Sequence, residues 1–223
     1  MNPTVVLVHG AFADSSAWNG VVERLQGAGY PVIAVANPLR GLENDANAVA
    51  EVVASVDGPV VLVGHSYGGV LISAAARQNV KALVYIAAFQ PETGENALEL
   101  SGQFPGGKLG PDTLNQIGGD LYIKQESFAE VFAADVPQAA VLAATQRPAF
   151  AQALADSFPG EPAWKRIPSW ALVATQDNAI PAEAQRFMSK RAASHVVEVE
   201  ASHAVSVSQP QAVFDLITAA ATA

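Results

Sequence analysis

Short, continuous runs of aliphatic residues alternate along this chain with stretches in which apolar residues recur at three- and four-residue intervals. A continuous run of roughly four to eight such residues is typical of a strand that is buried on both faces, as in a parallel sheet. We therefore predict six strands, over residues 5–8, 32–35, 60–63, 82–87, 171–174 and 196–199.

Amphipathic stretches separate these strands. Trp18, Val21, Val22 and Leu25 share one face of a helix, and glycines follow them at the point where a helix would end. Strands that alternate with helices form right-handed βαβ units, which indicates an α/β fold with a mostly parallel sheet. Further helices are predicted over residues 43–55, 67–78 and 181–191, and from Pro210 onwards.

One long segment interrupts the alternation. Residues 94–167 begin with frequent glycine and proline and continue with helix-like stretches over 127–134, 137–145 and 148–158, and we predict no strand among them. The pattern indicates a helical cap inserted into a core formed by residues 1–93 and 168–223.

Composition and charge limit the kinds of molecule that this chain is expected to bind. The 223 residues are 50% hydrophobic and 15% charged, as in a globular protein, and the formal net charge is −9. A negative chain with scattered basic residues is repelled by nucleic acid and by anionic membrane surfaces, so we expect a small-molecule partner, no nucleic acid and no membrane. The pattern leaves open whether the protein is a monomer or a homodimer.

Cofactors are also constrained. The chain contains no cysteine, which excludes disulfides, thiolate metal sites and a cysteine nucleophile. The histidines and carboxylates have no metal-ligand spacing, and no G-x-G-x-x-G motif follows a strand, so we predict no metal and no dinucleotide. The N-terminus lacks the basic and small-residue features of a signal peptide, and no apolar run is as long as a membrane span, so we expect a cytoplasmic protein.

The strongest chemical motif is Gly64-His65-Ser66-Tyr67-Gly68-Gly69, which follows the strand at 60–63 and precedes a helix. This is the G-x-S-x-G nucleophile elbow in its required context. A sharp strand-to-helix turn lifts the serine hydroxyl above the sheet, at a helix N-terminus that favours developing negative charge. The motif predicts that Ser66 is a nucleophile.

A serine hydroxyl needs a base, and the base needs an acid to orient it. In this arrangement the chain order is serine, acid, histidine. His203 follows the last strand, where α/β sheets build their sites, whereas His195 starts that strand and is interpreted as a solvent-facing residue. Asp177, the only carboxylate in the loop after the preceding strand, is the predicted acid, with a turn or helix-capping role as the alternative.

Acyl transfer also needs an oxyanion hole. We assign its donors to the backbone N–H of Tyr67, directly after the nucleophile, and to that of Ala11, with Phe12 as the alternative to Ala11. Phe12 and Tyr67 are also predicted to line the substrate pocket. His9 and His65 flank the motif residues, and we interpret both as hydrogen-bonded structural histidines.

These residues resemble a known family. The segment from Val8 to Phe12, the nucleophile elbow, Asp177 and His203 are similar to the α/β-hydrolase superfamily, and most similar to its branch of plant methylesterases, hydroxynitrile lyases and small bacterial esterases. The resemblance covers nearly the whole chain and is weakest over 94–167. It implies the α/β-hydrolase fold, with six strands in the order 2-1-3-4-5-6.

The resemblance also helps to separate two chemistries. The hydroxynitrile lyases of this branch carry threonine at the position of Gly10 and lysine directly after the histidine, where this chain has Ala204. A buried cyanide anion without a cation is costly, so ester hydrolysis is favoured. The expected activity is that of a serine carboxylic-ester hydrolase acting on a small, largely neutral ester. Lyase or cofactor-free perhydrolase activity, and small-molecule binding without turnover, remain as alternatives.

Overall fold

A six-stranded parallel sheet forms the centre of the protein, as the computed structural model, which describes residues 2–223, shows. The strand order is β2-β1-β3-β4-β8-β9, so the predicted order and all six predicted strands are confirmed. The strands of this sheet are β1 (Thr4–Val8), β2 (Val32–Val35), β3 (Val60–His65), β4 (Val80–Ile86), β8 (Ser169–Ala174) and β9 (His195–Val199).

Helices cover both faces of this sheet, and the alternation of side chains along β1 shows how. Val5 and Leu7 pack with α1 (Asn19–Gly27) and α10 (Pro210–Thr222) on one face, whereas Val6 and Val8 pack with α2 (Leu42–Ala54) and α3 (Gly68–Ala75) on the other. All four side chains are fully buried, which explains the unbroken apolar run. The helices of the core are α1 (Asn19–Gly27), α2 (Leu42–Ala54), α3 (Gly68–Ala75), α8 (Ala182–Arg191), α9 (Val205–Ser208) and α10 (Pro210–Thr222).

The inserted segment differs from the prediction, because it contains strands. A three-stranded antiparallel sheet, β5-β6-β7, lies among its helices, and β7 occupies the start of the stretch predicted as a helix over 148–158. Gly118 and Gly119 connect β5 to β6 in a two-residue hairpin, with a φ of 61° at Gly118. The elements of the insertion are α4 (Ala97–Gly102), β5 (Leu114–Ile117), β6 (Asp120–Ile123), α5 (Gln125–Phe132), α6 (Ala139–Thr145), β7 (Ala149–Phe150) and α7 (Ala151–Ala155).

The β9 edge of the main sheet is open to solvent, with His195, Val196 and Val197 exposed. His195 stacks on Trp170 of β8 at a ring-centroid distance of 5.0 Å, far along the strand from the loop that carries His203. Within residues 2–223, none of the helices combines the length and the apolar character that a bilayer crossing requires.

Candidate active site

Ser66 lies in the turn between β3 and α3, and its φ of 55° places a residue with a side chain in the left-handed region. The turn is this tight because the neighbouring backbones touch. A Cβ on Gly68 would lie 2.4 Å from the carbonyl oxygen of Val8, and one on Gly64 would lie 2.5 Å from that of Gly68. Only glycine fits these two positions, and the Ser66 side chain is directed away from the sheet.

His203 and Asp177 meet beside this turn, at the carboxyl edge of the sheet. His203 follows β9, Asp177 follows β8, and the His203 Nδ1–H donates to Asp177 Oδ2 at 2.7 Å. Both side chains are almost fully buried. Because Nδ1 is used in this bond, Nε2 is the ring nitrogen that remains available to a substrate or to Ser66. Ser66 Oγ itself has no hydrogen-bond partner among residues 2–223, as is common for the nucleophile–base contact before substrate binds.

The Asp177 carboxylate is saturated with donors. Its Oδ1 accepts from the backbone N–H groups of Ala179 at 2.7 Å and Ile180 at 2.9 Å, and its Oδ2 also accepts from Gln185 Nε2 at 2.9 Å. The turn-forming role and the histidine-orienting role that the sequence presents as alternatives are thus both present in one side chain. Sequence reasoning missed Gln185, a buried polar residue on the inward face of α8.

The predicted oxyanion donors surround Ser66. Ala11, Phe12 and Tyr67 line the same cavity as Ser66 and His203, and their backbone N–H groups have no acceptor among residues 2–223. Unpaired N–H groups in a buried turn are unusual, and they are what a site that binds an oxyanion requires.

Gly10 packs directly against the candidate nucleophile. A Cβ at this position would lie 2.6 Å from Ser66 Cβ and 2.8 Å from the carbonyl oxygen of His65, and both atoms belong to the rigid turn. Any larger residue at Gly10 therefore requires the elbow to move. The threonine that the resembling lyases carry here does not fit this arrangement.

His65 and His9 are both buried and hydrogen-bonded, in the way their structural interpretation requires. His65 Nε2–H donates to the backbone carbonyl of His203 at 2.8 Å, and the ring lies 4.7 Å from the His203 ring. Burial, with His203 nearby, holds the pKa of His65 well below its usual value, and burial likewise lowers the pKa of His9. His9 Nε2 accepts from the Asn37 backbone N–H at 3.1 Å, so His9 ties the oxyanion loop to the segment after β2.

Tyr67 is anchored by a carboxylate that sequence reasoning missed. Its hydroxyl donates to Asp45 Oδ2 at 3.1 Å, and Asp45 is fully buried at the start of α2, where its Oδ1 accepts from the Arg40 backbone N–H at 2.8 Å. Burial and the adjacent Asp45 carboxylate raise the pKa of the Tyr67 hydroxyl, which remains protonated and keeps donating.

A cavity of about 760 Å³ opens over Ser66, between the sheet and the insertion. Most of its walls come from the insertion, and the described residues that line it include no lysine, arginine, aspartate or glutamate. Phe12 and Tyr67 line it, and Phe104 and Phe132 join them from the insertion. Among residues 2–223, no group of three or more histidine or carboxylate side chains could hold a metal ion.

A model of the "Alpha/beta hydrolase family" matches residues 5–216. The chain belongs to the α/β hydrolase family. As an α/β hydrolase it is 29% identical to the pyrethroid hydrolase of Sphingobium wenxiniae over 96% of this chain and 85% of that protein. It is 27% identical to the α-hydroxynitrile lyase of Arabidopsis thaliana over 97% of this chain and 96% of that protein.

Solved structures of this α/β hydrolase's relatives superpose closely. The pyrethroid hydrolase of Sphingobium faniae gives a TM-score of 0.83 at 25% identity, covering 99% of this chain and 98% of that one. Polyneuridine aldehyde esterase gives 0.82 at 22% identity, with 98% and 99% coverage, and it supports the fold alone. Both the predicted fold class and the resemblance to the α/β-hydrolase superfamily are confirmed.

Proposed function

We propose that this α/β hydrolase is a serine carboxylic-ester hydrolase that acts through an acyl-enzyme. The observation that carries the proposal is the hydrogen bond from His203 to the buried Asp177, beside a strained Ser66 with which His203 shares one cavity. Relatives described as a pyrethroid hydrolase and as a carbendazim-hydrolysing esterase support the same reaction class.

In the first half-reaction, Ser66 Oγ attacks the acyl carbon of the ester and His203 Nε2 takes its proton. The imidazolium that forms is stabilised by the Asp177 carboxylate, which already accepts a hydrogen bond from the Nδ1–H of His203. The negative charge on the former carbonyl oxygen is stabilised by the N–H groups of Ala11 and Tyr67, which have no other acceptor among residues 2–223. Collapse of this intermediate transfers the proton from His203 to the departing alcohol.

In the second half-reaction, water replaces the alcohol. His203 removes a proton from the water, the resulting hydroxide attacks the acyl carbon bound to Ser66, and the acid product leaves as the proton returns to Ser66 Oγ. His65 remains neutral throughout, because protonation would place a second cation beside the transient His203 imidazolium in a buried site.

The walls of the cavity indicate a neutral substrate. A carboxylate or ammonium group on the substrate would be desolvated there without a charged partner, which is costly. A volume of about 760 Å³ lies within the range of roughly 300–1,000 Å³ typical of ligand sites, and it accommodates esters larger than a methyl ester of a small acid. We therefore infer a largely neutral, predominantly apolar ester.

Covalent labelling tests the nucleophile. A fluorophosphonate probe should modify the wild-type protein at Ser66, and Ser66→Ala should abolish labelling. Ser101→Ala is the matched control, because Ser101 also places a hydroxyl at the cavity but bonds to the Ala179 carbonyl. Failure of the wild type to label, together with no hydrolysis of short-chain p-nitrophenyl esters, would overturn the proposal.

Hydrolysis rates for a panel of methyl, acetyl, butyryl and aryl esters then show which acyl and alcohol groups the protein accepts. The same samples distinguish the alternatives, because cyanide release would indicate lyase activity and peroxide-dependent halogenation would indicate a perhydrolase. A ligand that raises the melting temperature without being consumed would indicate a binding protein. Ala204, which is buried directly after His203, and the close packing at Gly10 both favour the esterase.

A further inference from the structure

The end of helix α5, which belongs to the insertion, contacts the loop that carries His203 on both sides of that histidine. The backbone N–H of Ala204 donates to the carbonyl of Phe132 at 2.9 Å. On the other side, the backbone N–H of Ser202 donates to Asp135 Oδ2 at 3.2 Å, and the Ser202 hydroxyl donates to Asp135 Oδ1. The insertion therefore binds the residues directly before and after the candidate base.

The ring of Phe132 completes this contact. It meets the His203 ring nearly edge-on, with centroids 4.7 Å apart and an interplanar angle of 76°. His203 is thus held at three points: its carbonyl by His65, its Nδ1–H by Asp177, and its ring by Phe132. Of the groups that α5 and the turn after it contribute to this loop, only the Asp135 side chain carries a charge.

Asp135 is exposed as a residue, but its carboxylate is bonded to the buried Ser202. Desolvation of the carboxylate alone would raise its pKa, but the hydrogen bonds that it accepts, chiefly from Ser202, outweigh this effect, so the pKa of Asp135 lies below its usual value. The carboxylate therefore remains ionised, and the two bonds are charge-assisted. An aspartate without these partners would have no such effect on the adjacent loop.

We propose that Asp135 is a positioning residue, which acts through Ser202 to hold the imidazole of His203 in line with Ser66. The insertion would then do more than cover the cavity, because one of its side chains sets the geometry of the base. This inference rests on the proposed function, in which His203 is the general base. Misplacement of a catalytic group by about 1 Å can reduce turnover by about a hundredfold.

The test compares Asp135→Ala, Asp135→Asn and Ser202→Ala with the control Glu126→Ala. Glu126 is an exposed carboxylate in the first turn of the same helix, and it has no ion pair or side-chain hydrogen bond within residues 2–223. We expect Asp135→Ala to lower kcat about 10- to 100-fold with KM changed less than about twofold, and Glu126→Ala to leave both unchanged. Asp135→Asn keeps one acceptor for Ser202, so it should recover part of the loss.

NMR spectroscopy can test the position of the His203 imidazole without measuring catalysis. The proton shared by His203 Nδ1 and Asp177 should give a low-field NMR resonance, identified by its absence from His203→Gln. We expect Asp135→Ala and Ser202→Ala to speed the exchange of this proton with water by at least about tenfold, because the loop opens more often. Because both residues act through one contact, the double variant should lose little more than either single variant.

The possible results distinguish failure of the positioning role of Asp135 from failure of the esterase proposal. Wild-type kcat and unchanged proton exchange in Asp135→Ala would overturn the proposal, as would a lower melting temperature as the only effect, or additive losses in the double variant. If the fluorophosphonate probe does not label Ser66 but the His203 proton still exchanges faster in Asp135→Ala, the positioning contact stands while the esterase proposal fails. Should Asp135→Ala not fold, Asp135→Asn and Ser202→Ala carry the same two measurements.

Discussion

The neutral state of His65 predicts a measurable loss of stability in mild acid. Its Nε2–H donates to the His203 carbonyl, and its Nδ1 is buried without a partner among residues 2–223. Protonation of Nδ1 would create a buried, unpaired charge 4.7 Å, centroid to centroid, from the His203 ring. Burial and His203 accordingly hold the pKa of His65 well below its usual value in the folded protein.

The direction and the size of the stability loss follow from the difference between the pKa of His65 in the folded protein and in the unfolded chain. In the unfolded chain a histidine gains a proton below about pH 6.5, whereas folded His65 does not, so the unfolded state is favoured as the pH falls. Each pH unit below about 6.5 lowers the free energy of unfolding by about 1.4 kcal/mol for this group, which amounts to about 2 kcal/mol at pH 5.0. That is a large share of the roughly 5–15 kcal/mol of a typical domain.

His65→Gln isolates the effect, because a glutamine amide can still donate to the His203 carbonyl but does not titrate. Urea unfolding at pH 7.5 and at pH 5.0 gives the free energy of unfolding of each protein at both pH values. The decrease in this free energy between pH 7.5 and pH 5.0 should be about 2 kcal/mol smaller for His65→Gln than for the wild type. His195→Gln, which removes an exposed histidine, serves as the control and should keep the wild-type drop. Equal pH dependence of His65→Gln and the wild type would refute the reasoning.

Three further changes test the packing and the hydrogen bonds of the site. Gly10→Ala places a Cβ 2.6 Å from Ser66 Cβ, so it should lower the free energy of unfolding by about 1–3 kcal/mol and slow fluorophosphonate labelling, read by denaturation and by mass spectrometry. Asp177→Asn should lower kcat about 10⁴-fold with little change in KM, because His203 loses the anion that orients it. Steady-state kinetics would measure both constants. Gln185→Leu leaves one buried backbone N–H and one carbonyl unpaired as well as removing a bond to Asp177, so urea unfolding should show a loss of about 2–5 kcal/mol.

The six-stranded sheet and the convergence at its carboxyl edge could be predicted because both depend on local sequence. Residues buried on both faces of the sheet are mostly apolar, as the first four residues of β3 are, and the elbow motif requires glycine where the backbones touch. The loops after β8 and β9 then bring Asp177 and His203 together by topology alone.

The insertion was harder to predict because its strands are only partly buried and mix polar with apolar residues, as Asn115 and Gln116 do in β5. The hairpin still left one signal, since Gly118 and Gly119 between two short runs are typical of a two-residue turn. The contact of Asp135 with Ser202 left none. It joins residues 67 positions apart and depends on how the insertion packs on the core, which no local pattern specifies.

The walls of the cavity and the groups around Ser66 come from different parts of the chain. The loops between α4 and β6 contribute many of the wall residues, whereas the strand ends hold the serine, the acid and the histidine in contacts that tolerate almost no added atom. Variant libraries confined to those loops should therefore change the shape of the ligands that the cavity accepts. Libraries that include the elbow would consist mostly of inactive proteins.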